Sequence, residues 1–345
     1  MFLTVIIFLV LFVSYFGVGI FCHWANRRQI FDIPSERSSH DEPMPRGGGL
    51  VIVLITLLGG CFFYIFTEPN LSERAFWSYI GGGFLVASVS WIDDLFGLSY
   101  RIRFLVQGVA ALLAVWGIGI PPVIFVSHLE WMGGIFAFLW IIGLTNAYNF
   151  MDGIDGMAGG QAVVAGVGWW ILGTWCGYSF VGALGFLLAF SCLGFLGHNW
   201  SPARIFMGDV GSAFLGYSFA LLSLFGAQLD PNLFWFGCFL VWPFIFDTVF
   251  TFVRRFCNKE NVFQAHRSHL YQRLVIRNVT HPKVVVLYIF LALLCGIMGL
   301  LILNQWLWPK WIGIFFIVLF SIGLWLFVVW LEKKPLSVLN PDDSL

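Results

Sequence analysis

Apolar residues run in long blocks along this chain, and polar residues gather in the short breaks between them. Blocks long enough to cross ~30 Å of hydrocarbon at 1.5 Å per residue fall at 2–22, 48–66, 76–92, 104–120, 131–148, 157–175, 179–197, 211–228, 232–252, 284–304 and 311–331. The pattern predicts eleven transmembrane helices. The blocks are continuous rather than ten-residue alternations, which excludes a membrane β-barrel. The predicted fold class is therefore all-α, with residues 1–345 forming one polytopic membrane domain.

Composition agrees. The chain is 59% hydrophobic and 10% charged, whereas soluble domains carry roughly 25% charged residues, so a soluble globular class is excluded. Eighteen basic and eighteen acidic residues cancel, and no nucleic-acid partner is expected. The N-terminal block lacks a basic leading region and is followed by Arg27 and Arg28 instead of a small-residue cleavage site. It reads as a retained first span. The seven cysteines show no CxxC spacing and read as small buried hydrophobes.

The distribution of charge sets the orientation. With the N-terminus outside, eleven spans leave sixteen of the Lys and Arg residues inside and only Arg74 and Lys310 outside. That bias predicts a periplasmic N-terminus and a cytoplasmic C-terminus. The outer breaks carry little beyond Glu68, Glu73, Glu130 and Asp230. Nearly everything polar lies in the inner loops 23–47, 93–103, 149–156, 198–210 and 253–283. A polar face on one side of the membrane suits a water-soluble substrate meeting a lipid one.

Five constellations carry candidate chemistry there. Asp93 and Asp94 close the third span; adjacent carboxylates at a membrane boundary repel unless a cation or proton sits between them. They are either solvated acids at a loop start or a Mg²⁺- or phosphate-handling pair, with Arg101 and Arg103 following. The fifth span runs into NAYNFMDGIDGMAGG, where Asn146, Asn149, Asp152 and Asp155 recur every third residue, a spacing that makes neighbours on a helix. Asp209 stands between Gly208 and Gly211 at an expected helix start, as a metal ligand or a plain cap, and that helix end offers N–H groups to phosphate. His266 and His269 flank Arg267, a set that suits a pyrophosphate better than Zn²⁺. The first inner loop, DIPSERSSHDEPMPRGGGL, adds Arg37, His40 and Arg46. Asp247 lies inside an apolar block, which makes it a functional acid or the centre of an interhelical hydrogen bond.

In that order, the double Asp, NxxNxxDGxDG, NWSPARIFMGDVGS and HRSH resemble the motifs of the polyprenyl-phosphate N-acetylhexosamine-1-phosphate transferases. The likeness extends over nearly the whole chain. ERSSHDEPMPRGGG and HRSH look most like the O-antigen-initiating branch, which uses UDP-GlcNAc, UDP-FucNAc or UDP-QuiNAc. The peptidoglycan enzyme of the family instead has three consecutive histidines.

The resemblance implies a multi-pass enzyme of the bacterial inner membrane that joins a UDP-N-acetyl sugar to undecaprenyl phosphate. It implies Mg²⁺, or Mn²⁺ in its place, on Asp209, and Asp93 and Asp94 beside the lipid phosphate with Arg103. Asn149, Asp152 and Asp155 match the family's polar span end, and Asn199 and Phe206 match positions that hold uracil. His266 and His269 fall near the pyrophosphate, with Arg46 and Arg267 as further substrate contacts. A homodimer is compatible with this picture. A proton-coupled transporter using Asp247 and Asp152 as relay carboxylates is the alternative, but such a site belongs at the bilayer midplane, and all these acids except Asp247 lie at span ends.

Overall fold

The computed structural model describes residues 2–34, 42–67, 71–120, 130–261, 266–303 and 310–334. Arg37, His40 and Glu68 lie outside the described residues. The chain opens with α1 (Phe2–Arg28), then a two-residue antiparallel pairing of β1 (Phe31–Asp32) with β2 (Met44–Pro45). There follow α2 (Gly49–Phe66), α3 (Glu73–Phe96), α4 (Tyr100–Ile118), α5 (Glu130–Phe150), α6 (Met157–Trp175), α7 (Ser179–Asn199) and α8 (Asp209–Leu229). The last five helices are α9 (Asn232–Leu240), α10 (Trp242–Cys257), α11 (Leu270–Ile276), α12 (His281–Leu303) and α13 (Lys310–Glu332).

The protein is an all-α, multi-pass membrane protein. Among the described residues nine helices are long and apolar enough to cross a bilayer, and the bent pair α9–α10 makes a tenth. The expected sixth span forms as α6, but its Gly, Gln and Trp content leaves it outside that set. Instead α6 lies along α7, with Gly166 facing Gly185 and Gly173 facing Gly182 closely enough for the backbones to touch. Small residues allow such approach between helices that lipid does not drive together.

The expected ninth span, 232–252, is not one rod. It breaks at Val241 with a 77° bend. Pro243 sits at the start of α10, where its missing N–H costs nothing, but it could not continue α9. The bend turns α10 toward the polar end of the bundle and brings Asp247 under the 266–276 segment.

α8 is the axis of the fold, buried without interruption from Val210 to Ala227. It packs against α2, α3, α5 and α9. Its first turn therefore lies where the ends of several helices meet. Gly49 at the start of α2 touches Gly211 of α8, and the loop before α8 is stitched to the start of α2. Gly48 N–H donates to Phe206 O at 3.0 Å, Gly49 N–H to Met207 O at 2.9 Å, and Phe206 N–H to Pro45 O at 2.8 Å.

Candidate active site

Asp93 and Asp94 lie in the last turn of α3 rather than after it. The helix ends at Gly97, whose φ of +66° is the left-handed conformation that terminates helices. Asp94 is wholly buried, and its carboxylate is fully engaged. Oδ1 accepts from Asp209 N–H at 2.9 Å, Oδ2 from Val210 N–H at 3.1 Å, and Arg46 Nη2 closes on Oδ1. Asp94 thus caps α8 from another helix. Gly208, at φ +77°, has no room for a Cβ, which would stand 2.6 Å from Asp94 Oδ2. The first-turn N–H groups of α8, expected to face a phosphate, are occupied by this carboxylate.

Asp209 begins α8, as expected, but its own side chain does not cap the helix. Its Oδ2 instead accepts from Arg103 Nη1 at 3.0 Å, and the same nitrogen donates to Asp93 Oδ2 at 2.8 Å. Asp93 Oδ1 accepts from Leu98 N–H at 2.6 Å, which fixes the α3–α4 turn. One guanidinium, on the first turn of α4, therefore holds two acids from two other helices.

α5 stops at Phe150, so the three-residue spacing of Asn146, Asn149, Asp152 and Asp155 is helical only for the two asparagines. Asn149 donates to Ser212 Oγ at 2.9 Å and to the Asp209 carboxylate. Asp152 and Asp155 stand on the turn before α6. No described residue hydrogen-bonds the Asp152 carboxylate. Burial first, then the charges of Asp209 and Asp94, push its pKa up to about 8. A buried carboxyl beside other acids resists ionising.

Asp155 does a different job. It accepts from Ala203 N–H at 3.2 Å and faces His281 Nδ1 at 3.5 Å. Burial alone would raise its pKa, but the hydrogen bond and charge of His281 prevail and hold it below the usual range. Asn199 is equally committed: Oδ1 accepts from Gly156 N–H and Nδ2 donates to Ile205 O, both at 2.9 Å. Asp155 and Asn199 together clamp the 198–208 loop to the 150–156 turn. Phe206 is half-buried on that loop, its backbone pinned between Pro45 and Gly48.

The HRSH segment ends at α11. His269 is the residue before that helix, not a member of it, and its ring lies 5.1 Å from that of His266. Asp247, fully buried, gathers five donors: His269 Nδ1 at 3.2 Å, Leu270 N–H at 2.8 Å, Tyr271 N–H at 3.1 Å, Thr251 Oγ1 at 3.2 Å and Tyr288 OH at 2.6 Å. Of the two readings open for Asp247, the interhelical one holds. It caps α11 much as Asp94 caps α8. Because a carboxylate only accepts, His269 carries its proton on Nδ1. Tyr271 OH donates to Phe150 O at 3.0 Å, which seats α11 on the 150–153 turn.

His266 is set the other way. Ser268 donates to its Nδ1 from N–H and from Oγ, at 3.3 and 2.8 Å. Burial, then the neighbouring His269 and Arg255, push its pKa down to about 4, so it is a neutral ring with its proton on Nε2. Arg267 lies between the two histidines, partly buried, within electrostatic reach of Tyr271.

Several supporting residues escaped the sequence. Asp32 pairs with Arg46 Nη1 at 3.5 Å, and Arg254 holds Ser268 O at 3.2 Å. Ser212 had a signal, three positions after Asp209 on the same helix face. His281 and Asp32 had none.

Residues 76–227 match the family described as glycosyl transferase family 4. Over 301 residues the chain is 33% identical to a probable undecaprenyl-phosphate N-acetylglucosaminyl 1-phosphate transferase of Bacillus subtilis, covering 84% of this chain and 82% of that one. The chain belongs to glycosyl transferase family 4. A family member from Thermotoga maritima, an undecaprenyl-phosphate alpha-N-acetylglucosaminyl 1-phosphate transferase, is 30% identical over 84% of this chain and 87% of its own. A phospho-N-acetylmuramoyl-pentapeptide-transferase of Chlamydia muridarum is 36% identical, but over 50% of this chain and 58% of its own. This family member is therefore a transferase of the bacterial inner membrane. The transporter alternative falls with that assignment, and Asp247, its relay carboxylate, is a saturated structural acceptor.

Proposed function

We propose that this enzyme transfers N-acetylhexosamine 1-phosphate from a UDP-sugar to undecaprenyl phosphate, releases UMP, and so starts a lipid-linked envelope polysaccharide of the O-antigen kind. The observation that carries the reading is the meeting of Asp93, Asp94, Asp152 and Asp209 with Arg46 and Arg103 at one end of the bundle. Basic donors there face phosphate, and the acids call for a divalent cation.

The donor set fits Mg²⁺. It is made of carboxylate and amide oxygens; among the described residues no group of three or more His, Cys, Asp or Glu is arranged to hold a metal ion alone, so substrate phosphates would have to complete the shell. Mg²⁺ prefers hard oxygens, keeps several waters and takes the rest of its shell from substrate phosphates. Asp209 would hold it, with Asp152 supplying the carboxylate that has no other partner. When bound, the ion neutralises charge on the nucleotide phosphates.

The chain's own residues then act by position. A lipid phosphate has its second pKa near ~6, as phosphate monoesters do, so it attacks as a dianion without a general base. Its oxygen forms the new bond to the β-phosphorus of the UDP-sugar, while the bond from that phosphorus to the bridging oxygen breaks and UMP departs. Arg103 orients Asp93 and Asp209, Asp94 holds the start of α8, and His266 Nε2–H and Arg267 donate to the pyrophosphate as charge shifts onto the leaving group. His269, locked by Asp247, presents Nε2 beside them.

Relatives named for N-acetylglucosamine cover most of the chain, and HRSH replaces a run of histidines. The first supports GlcNAc, its relatives being somewhat more similar than a muramoyl-pentapeptide relative that also spans most of the chain; the second favours GlcNAc, FucNAc or QuiNAc over the muramoyl pentapeptide. The deciding experiment follows UMP release by purified protein from each UDP-sugar, with and without undecaprenyl phosphate and with Mg²⁺ or Mn²⁺. No release with any of these donors would end the proposal.

Two further outcomes are expected. Stacking of a base on an aromatic ring is worth roughly 1–3 kcal/mol, so Phe206→Ala should weaken UDP-sugar binding about 5- to 150-fold. Undecaprenyl-phosphate affinity should hardly change; equal weakening of both would make Phe206 a packing residue. The second outcome follows from Asp152. With its proton held up to about 8, Mg²⁺ must displace that proton below pH 8. Apparent Mg²⁺ affinity should rise roughly tenfold per unit from pH 6 to 8, then level. Calorimetry in buffers of different ionisation enthalpy should record about one proton released per Mg²⁺ at pH 7, and Asp152→Asn should abolish that release. A flat affinity across this range would remove Asp152 from the metal site.

A further inference from the structure

α11 is held to α13 by an ion pair away from the catalytic groups. Arg273 Nε and Nη2 donate to the two oxygens of Glu332 at 2.8 and 2.6 Å, and Arg277 Nη2 donates to Glu332 O at 2.6 Å. Beside this pairing lies a cavity of about 280 Å³, lined by Arg273, Ile276, Arg277 and Glu332. Two guanidinium charges face one carboxylate there, which leaves an excess positive charge. Arg273 Nη1 and, nearby, Arg254 Nε are buried and have no hydrogen-bond partner among the described residues. Buried donors of this kind are rare in native proteins.

The depth of the cavity identifies the acceptor's source. Lys334 places its ammonium 3.5 Å above the Trp330 ring, and Leu326, Phe327 and Trp330 are exposed on the outer face of α13. An aromatic ring with a lysine at the end of an apolar helix sits at the membrane–water interface. Glu332 is between them in sequence. The cavity therefore opens at headgroup level beside a lipid-facing helix, on the membrane face that carries the HRSH segment.

We propose that this cavity binds the phosphate headgroup of an anionic phospholipid, as basic pockets between helix ends do. The bound phosphate pairs with the guanidinium charge of Arg277 and Arg273 at the cavity wall and completes the contact between α11 and α13. Because α11 begins at His269 and is seated on the 150–153 turn through Tyr271, the lipid steadies the helix that positions HRSH. Its occupancy should raise turnover without entering the reaction.

The test uses full-length protein in nanodiscs of phosphatidylcholine, with phosphatidylglycerol raised from none to 30 mol%. Native mass spectrometry counts retained lipids, and thermal unfolding is followed in parallel. Unmodified protein should retain one phosphatidylglycerol and gain stability as that lipid is added. Arg277→Gln should weaken retention about fivefold, and Arg273→Gln with Arg277→Gln about thirtyfold, at one charge each near an anionic surface. Glu332→Gln separates this site from a merely structural link: it removes the competing carboxylate, so retention should tighten, whereas a structural link alone predicts loss of stability with retention unchanged. Inorganic phosphate and glycerol phosphate are the soluble arm. If they stabilise the protein as well as the lipid does, the site takes a free phosphate and the lipid assignment is overturned. Equal lipid retention by all three variants would overturn the site itself.

Discussion

Asp209→Asn should lower kcat by a thousandfold or more, about 4 kcal/mol in the barrier, while the protein still folds and inserts. Asn keeps the shape and one acceptor oxygen, so it can still accept from Arg103 or Asn149. It loses the charge that holds Mg²⁺ against the ion's reluctance to dehydrate. The helix-cap reading of Asp209 predicts the opposite, because Asn caps as well as Asp and activity would survive. The structure separates the two more sharply than the sequence does: the start of α8 is capped by Asp94, with Asp209 contributing only its N–H. Stability of Asp209→Asn should thus stay near that of the parent, and excess Mg²⁺ or Mn²⁺ should restore only part of the rate. UMP release and thermal unfolding, measured on the same preparation, decide it. Near-normal turnover in a stable Asp209→Asn protein would move the metal to Asp93 or Asp152.

Much of the fold was legible because lipid imposes it. A helix in hydrocarbon must satisfy its own backbone, so apolar length translates almost directly into α1 to α5, α7, α8, α12 and α13. The failures lie where the local pattern is ambiguous. Apolar periodicity does not register the bend at Val241, since both arms are equally apolar, and the one local mark is Pro243. The three-residue spacing of Asn146, Asn149, Asp152 and Asp155 promised one helical face, but Gly153 and Gly156 end that face after Asn149, and Gly156 takes φ +79°.

The acids of the site were all visible as sequence anomalies, and their division of labour was not. Asp93, Asp94, Asp152, Asp155, Asp209 and Asp247 are equally conspicuous in an apolar chain. What distinguishes them is which donors reach them across the fold: Arg46 and the α8 amides for Asp94, His281 for Asp155, five groups for Asp247, and none among the described residues for Asp152. Except for Thr251, one turn along the helix from Asp247, those partners lie tens of residues away, beyond any local spacing rule. The same holds for Asn199, whose amide reaches Gly156 and Ile205 and clamps two loops.

The adjacent acids Asp93 and Asp94 should therefore fail in different ways when altered. Asp94→Ala leaves the N–H groups of Asp209 and Val210 without their acceptor where the Asp94 side chain was wholly buried, and leaves the partly exposed Arg46 guanidinium with Asp32 alone. Removing one partner of a fully buried ion pair costs about 3–5 kcal/mol; Arg46 keeps Asp32 and some water, so its share is smaller, and the orphaned amides add about 1–3 kcal/mol each. Asp94→Asn is no rescue, because whichever way its amide turns, an NH₂ group faces a donor: Val210 N–H on one side, Asp209 N–H and Arg46 on the other. Asp93 has a lighter load, with Leu98 N–H and a share of Arg103, and Asn in its place can still accept from one of them. The expected result is a large fall in unfolding temperature for both Asp94 variants, with activity lost in step, and a much smaller fall for Asp93→Asn. A general base predicts otherwise: Asp94→Asn would be inactive yet as stable as the parent. Thermal unfolding of the three variants in one detergent distinguishes an acid that reacts from an acid that holds the start of α8 in place.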